Sequence, residues 1–201
     1  MSSDAVIGLY ERFADLWDRD RGRDLFERPW LDRFLTLLPR GGAVLDVGCG
    51  MGEPIAGYLI ARGLALTGVD SSPSLIAKCR ERFPRHEWLV ADMRGLALDR
   101  EFDGVLAWDS FFHLEREAQR AMFPRFAAHV RPGGALMFTG GHEAGEAIGS
   151  YRGEPLFHAS LSPEEYDERL SESGFALQGR RLQDPDCGSH SVWLATREQT
   201  R

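Results

Sequence analysis

The sequence predicts an α/β fold: a mostly parallel sheet with helices packed on both of its faces. Three observations predict it. Short apolar runs of strand length alternate with helix-patterned segments from about residue 43 onward. The first of these runs, Ala43-Val44-Leu45-Asp46-Val47, carries no polar alternation, as expected of a strand buried on both faces. It ends in a cluster of glycines, Gly48, Gly50 and Gly52, where a strand can turn abruptly into a helix.

The elements follow in order. Leu9, Phe13, Leu16 and Trp17, then Leu31, Phe34, Leu35 and Leu38, recur at helical spacing, so residues 6–38 read as two helices. Pro39-Arg40-Gly41-Gly42 ends the second. After the first strand, helices are expected from near Glu53 and from Pro73, the latter with Ser72 as N-cap and proline at its first position. Strands are expected at 65–69, 88–91, 104–107 and 135–139. A helix over about 115–130 leads into the turn Arg131-Pro132-Gly133-Gly134. Ser162-Pro163-Glu164-Glu165 opens another helix, closed by Gly174. Strands over about 176–182 and 191–195 form a final antiparallel hairpin.

Composition narrows the function. The 201 residues suit one domain, 1–201, with a core of adequate size. The formal net charge is -7, and arginines are interspersed with acids, which disfavours nucleic acid as a partner. No apolar run approaches the roughly 20 residues needed to span a bilayer. Met1-Ser2-Ser3-Asp4 lacks a signal-peptide pattern. A cytoplasmic monomer or homodimer without a membrane partner is expected. Cys49, Cys79 and Cys187 form no C-x-x-C pair, so they read as reduced thiols with no metal site and no disulfide.

The chemistry concentrates where strands end. Asp46 precedes the turn Gly48-Cys49-Gly50-Met51-Gly52. In open α/β sheets, ligands bind beyond the carboxyl ends of the strands. Asp70, followed by Ser71, closes the second strand and can accept two hydrogen bonds from a ribose diol. Asp92 closes the third and can accept from an exocyclic amine, with Met93 available to pack on a purine. These features describe a nucleoside site. The dinucleotide fingerprint needs G-x-G-x-x-G, whereas the third glycine here is at position 52 and position 53 is Glu. A glutamate there opposes a bound pyrophosphate. A nicotinamide oxidoreductase is therefore disfavoured.

In these residues the chain resembles the class I S-adenosylmethionine-dependent methyltransferases. The acid and G-x-G-x-G turn match Asp46 through Gly52, the ribose acid matches Asp70, and the adenine-contacting acid matches Asp92 with Met93 beside it. The fourth strand matches Phe102 through Asp109, and the turn before the fifth matches Arg131 through Gly134. The resemblance implies a three-layer Rossmann-like sandwich. Its seven-stranded sheet would run 3-2-1-4-5-7-6, the last strand antiparallel, with an N-terminal helical extension, 1–39, covering part of the site. It implies S-adenosylmethionine as cofactor and methyl transfer by in-line displacement. It also implies that an aromatic of the first helix, Tyr10 or Phe13, closes over the cofactor, although both also fit a core stripe.

The acceptor should sit at the end of the fourth strand, Trp108-Asp109-Ser110-Phe111-Phe112-His113. The acid-or-Asn, Pro-Pro, aromatic pattern of nucleic-acid and amide methyltransferases is absent, which points to a small-molecule acceptor. His113 is the first candidate base, or else a structural histidine opening the next helix. Asp109 can orient the methionine portion or the acceptor, or cap a helix. Trp108 can offer a π face to the sulfonium or pack in the core. Residues 140–161 form a long connection that reads as a substrate lid, with His142, Tyr151, Arg152 and His158 as candidate substrate contacts. The alternative function is a non-catalytic S-adenosylmethionine-binding regulatory module.

Overall fold

The computed structural model describes residues 3–199, so the reading of Met1 and Ser2 lies outside the described residues. Three helical segments precede the sheet, not two: α1 (Ser3–Arg12), α2 (Ala14–Asp20) and α3 (Arg28–Thr36). Phe13 leaves helical geometry at φ -107°, ψ 17°. Helix-like hydrogen bonds still run across it, from Phe13 N to Leu9 O (3.0 Å) and from Trp17 N to Phe13 O (2.7 Å). The apolar stripe therefore survives the break, which periodicity alone does not reveal.

Strand and helix then alternate: β1 (Ala43–Val47), α4 (Ile55–Ala61), β2 (Ala65–Asp70), α5 (Pro73–Arg82), β3 (Glu87–Val90), β4 (Phe102–Ala107), α6 (Arg116–His129) and β5 (Val130–Gly140). Ser72 caps α5 as expected, its hydroxyl accepting from Leu75 N. Gly133 adopts φ +81°, and the register between β4 and β5 slips there, so the anticipated turn is a bulge within β5.

The connection expected after β5 is an ordered antiparallel hairpin, β6 (Gly145–Tyr151) and β7 (Glu154–Ser160), which forms its own two-stranded sheet. Phe157 and Ala159 of β7 bury against Val6 of α1, with Tyr10 packed alongside. Lateral pairing and this apolar patch order a segment that composition alone read as a loop. Ser162 caps α7 (Pro163–Glu172), and β8 (Phe175–Asp184) and β9 (His190–Arg197) complete the chain.

The main sheet has seven strands in the order β3-β2-β1-β4-β5-β9-β8, and β9 runs antiparallel to both of its neighbours. With the separate hairpin set aside, this is the expected 3-2-1-4-5-7-6 order. Two apolar layers cover the two faces, one around Phe111, Phe123, Phe138 and Trp193, the other around Trp30, Phe34, Leu59 and Ile76. Among the described residues no helix is long and apolar enough to cross a membrane.

Candidate active site

One cavity opens over the carboxyl ends of β1, β2, β3 and β4. The order of the sheet reverses beside β1, and that reversal opens the crevice. Asp46, Gly48, Cys49, Gly50, Gly52, Asp70, Ser71, Asp92, Met93, Trp108, Asp109 and His113 line it, together with Tyr10 from α1.

The glycine turn is held by backbone: Gly48 N and Cys49 N both donate to Val69 O, at 2.7 and 3.1 Å. All three glycines have left-handed φ, +78°, +55° and +81°. Their bare faces serve different ends. A Cβ on Gly48 would lie 2.2 Å from Ser110 Cβ, and one on Gly52 would press on Phe83 and Cys79 at 3.2–3.3 Å. Around Gly50 the nearest atom is Trp17 Nε1 at 3.9 Å, so this is where backbone is open to a ligand. Helix α4 begins at Ile55, two residues later than expected, after the Glu53-Pro54 peptide.

Acids dominate this wall. Asp70 accepts from Gly50 N and Ser72 N, both at 2.9 Å, which fixes the carboxylate at the mouth of the turn while each oxygen keeps a lone pair. Burial nevertheless raises its carboxyl above the usual range. Asp46 is almost fully buried, and desolvation together with the charge of Asp70 pushes it up to about 7. Asp92 behaves differently. Arg94 donates to it from backbone and guanidinium, which holds its carboxyl low, and Arg94 also pairs with Asp4. The cavity thus offers a ribose-competent carboxylate, an open stretch of backbone and acids that lack a counter-charge. That donor set fits a cationic nucleoside such as S-adenosylmethionine.

At the opposite wall, His113 Nδ1 lies 2.8 Å from Phe157 O, a carbonyl that can only accept. Nδ1 therefore carries the proton, and the Nε2 lone pair accepts from Tyr10 O–H at 3.2 Å. Burial drives His113 down to about 4, so it is neutral at pH 7. Burial, then the charge of Asp109, also raises the Tyr10 phenol. Of the two aromatics proposed to close over the cofactor, Tyr10 lines the cavity, whereas Phe13 packs against Tyr151 at 5.9 Å.

The four candidate substrate residues on residues 140–161 do not line the cavity. His142 is exposed beside Glu143. Tyr151 O–H and Arg152 Nε donate to Asp20 at 3.1 and 3.0 Å, pinning the hairpin tip to α2. His158 packs behind His113, ring centres 4.8 Å apart and planes tilted by 42°. Lining residues that sequence reasoning missed include Val6, Ile7, Trp17, Arg21, Glu53, Arg94 and Ser110. Trp17 was legible as an aromatic one turn beyond Phe13 and two beyond Tyr10. Arg21, which ion-pairs with buried Glu27, carried no local signal.

These features define a nucleoside-binding α/β protein with an acid-lined site for a cation. Residues 44–134 match a family described as "Methyltransferase domain". The chain is 30% identical over 178 residues to the dTDP-3-amino-3,6-dideoxy-alpha-D-glucopyranose N,N-dimethyltransferase of Streptomyces fradiae, an alignment covering 80% of this chain and 67% of that protein. It is 35% identical over 130 residues to a trans-aconitate 2-methyltransferase of Azoarcus sp., covering 63% and 47%. The chain thus spans about half to two thirds of the length of these relatives. Among solved structures, the CcbJ methyltransferase of Streptomyces caelestis superposes with a TM-score of 0.74 at 19% identity, covering 97% of this chain and 98% of that one. This chain belongs to the class I S-adenosylmethionine-dependent methyltransferases.

Proposed function

We propose that this protein transfers the methyl group of S-adenosylmethionine to a small-molecule acceptor, and that the attacking atom is a neutral amine nitrogen. The observation that carries the reading is the single cavity that joins the open glycine turn and its acids to the Tyr10–His113 pair. Asp70 would hold the ribose, and Asp92 with Met93 would flank the base. Asp46 and Asp70 would supply the missing counter-charge to the cationic end. When bound, the cofactor supplies an activated methyl group, so the protein has chiefly to align the acceptor.

The nature of the acceptor follows from what the wall can do with a proton. His113 is neutral but weakly basic, and its one free lone pair is already engaged by Tyr10. Such a group can orient an N–H or take a proton late, but it is poorly matched to ionising an alcohol. A carboxylate acceptor needs no base, yet it would face Asp46, Asp70 and Asp109 in one cavity. A neutral amine meets neither obstacle. The name of the S. fradiae relative, an N,N-dimethyltransferase, supports the same class. The hairpin β6–β7, pinned to α2 by Asp20, serves as a strap over the N-terminal helices, and Tyr151 and Arg152 act through that closure.

Incubation with methyl-labelled S-adenosylmethionine and paired amino and hydroxy analogues of small sugars and polyketide-like alcohols tests this. Label should move to the amines, with a rate that rises through the pKa of the acceptor amine. Transfer confined to hydroxyl or carboxylate partners would overturn the amine assignment. Cofactor binding without turnover on any acceptor would favour a non-catalytic binding module.

A further inference from the structure

Five non-glycine residues among those described have left-handed φ, and three of them surround one imidazole. Gln183 (φ 47°) and Ser189 (φ 60°) bracket the turn between β8 and β9 that delivers His190, and Asp109 (φ 47°) is the residue His190 meets. Left-handed backbone in such residues persists only where the surroundings over-determine it. The turn is anchored accordingly. Asp184 accepts from Trp30 Nε1 at 2.8 Å and from Asp186 N at 3.1 Å, and Ser189 N donates to Asp184 O at 2.8 Å.

His190 itself is fixed on every side. Its ring stacks between Phe26 and Trp108, with centres 5.2 and 5.7 Å away and both planes within 29°. Nδ1 lies 2.8 Å from Cys187 O, and Nε2 lies 2.9 and 3.1 Å from the two carboxylate oxygens of Asp109. A carbonyl and a carboxylate are both acceptors, so this geometry is satisfied only when both ring nitrogens carry a proton. Asp109 is held from its other side by Thr139 Oγ1, which accepts its backbone N–H at 2.8 Å. Asp109 and Trp108 both line the cavity, whereas His190 stands behind them.

We propose that His190 is a positioning residue: as an imidazolium it clamps Asp109 and Trp108 into the orientation in which they meet the cofactor. This rests on the assignment of the cavity to S-adenosylmethionine. The charged and titratable groups around the ring are Asp109 at the end of β4, Asp184 and Cys187 in the β8–β9 turn, and Glu27 with its partner Arg21 before α3. Burial alone pulls His190 down, but the hydrogen bond and charge of Asp109 outweigh it and raise its pKa above the ordinary value, assisted by Cys187 O and Glu27. The sign follows. The clamp is complete below the ordinary histidine value and is lost as pH rises through the raised one. Above that point one ring nitrogen faces an acceptor with a lone pair, the ion pair with Asp109 is lost, and the contact of Thr139 with its backbone N–H alone holds Asp109 in its left-handed conformation.

S-adenosylhomocysteine is the appropriate probe. It carries no sulfonium, so the negative charge uncovered when the clamp opens does not itself draw the ligand in. Calorimetric titrations between about pH 6 and about pH 9 would compare wild type, His190→Gln, His190→Ala and Asp109→Asn. Glutamine keeps an N–H toward Asp109 and does not titrate, and any titration of the ligand appears in that variant too. Wild-type affinity should fall about fivefold or more beyond the change in His190→Gln, which is roughly 1 kcal/mol. His190→Ala should be weak throughout, and His190→Gln should recover most of the low-pH affinity. In NMR titrations the His190 ring should titrate above its ordinary value and drop in Asp109→Asn. Superimposable pH curves for wild type and His190→Gln, or a His190 ring that ignores Asp109→Asn, would overturn the proposal. If His190→Ala does not fold, the other two variants still decide it. No heat from wild type at any pH would instead remove the cofactor assignment, and the proposal with it.

Discussion

The two walls of the cavity are built in opposite ways. The wall formed by β1, β2 and the glycine turn comes from residues close in sequence and is held by backbone hydrogen bonds, yet its acids are left without counter-charges. The wall at the end of β4 is assembled from distant residues, Tyr10 with His113 and Asp109 with His190, and its titratable groups are paired, although the buried Trp108 Nε1 has no partner. On the proposed function the two walls divide the labour. The acid wall lacks counter-charge and would be completed by a cationic cofactor. The other has its titratable groups paired beforehand and would fix geometry.

The largest effect is expected of Gly48→Ala, at the seam between the two walls. The added Cβ meets Ser110 at 2.2 Å on a left-handed backbone, so it forces the two walls apart. We expect a loss of about 3 kcal/mol or more of stability and no measurable cofactor binding, read by chemical denaturation and calorimetry. Gly50→Ala alters the open backbone of the acid wall alone. With open space around its Cβ, this variant should lose only about 1 kcal/mol of stability while still weakening the cofactor.

Asp46→Asn tests the acid wall directly. Because the folded carboxyl is raised from 3.8 to about 7, protonated Asp46 favours folding most at low pH, and that contribution disappears as pH rises through about 7. The asparagine variant lacks this slope. Without ligand, at about pH 8, it should be roughly 2 kcal/mol more stable than wild type, while its affinity for S-adenosylmethionine falls at least about tenfold. Denaturation curves with and without ligand at two pH values check both halves.

On the other wall the effects should be kinetic. His113→Gln should lower turnover by about 100-fold if the imidazole takes the acceptor's proton, and by less if it only orients the nucleophile. Tyr10→Phe frees the Nε2 lone pair and should change turnover by no more than about tenfold. Because His113 is held near 4, the rate profile between about pH 5 and pH 9 should show no inflection from it. The smallest effect expected is that of Asp20→Ala, which releases Tyr151 and Arg152 and should speed amide exchange at the tip of the hairpin while leaving the sheet protected.

This contrast also explains what the sequence disclosed. Asp46, Gly50 and Asp70 were legible because the turn and its acids lie on consecutive elements, where spacing specifies geometry. Alternating elements gave the parallel sheet, whereas the strand order was legible only through the family that the ordered motifs resemble. The hairpin β6–β7 was not, because Gly145–Tyr151 has an exposed, weakly apolar face and gains its order from pairing with β7 and packing on α1. His158 and His142 looked like substrate contacts because their spacing is silent about direction, and one packs behind His113 while the other faces solvent. His190 and Arg21 were invisible for the same reason. Their partners, Asp109 and Glu27, are brought to them by the fold and by no local pattern.

A crystal structure of the complex with S-adenosylhomocysteine would show whether the two walls enclose the cofactor. We expect the homocysteine portion to run over Gly50 and both ribose hydroxyls to donate to Asp70, with the sulfur between that wall and His113. Ligand density elsewhere, or a ribose that does not touch Asp70, would contradict it.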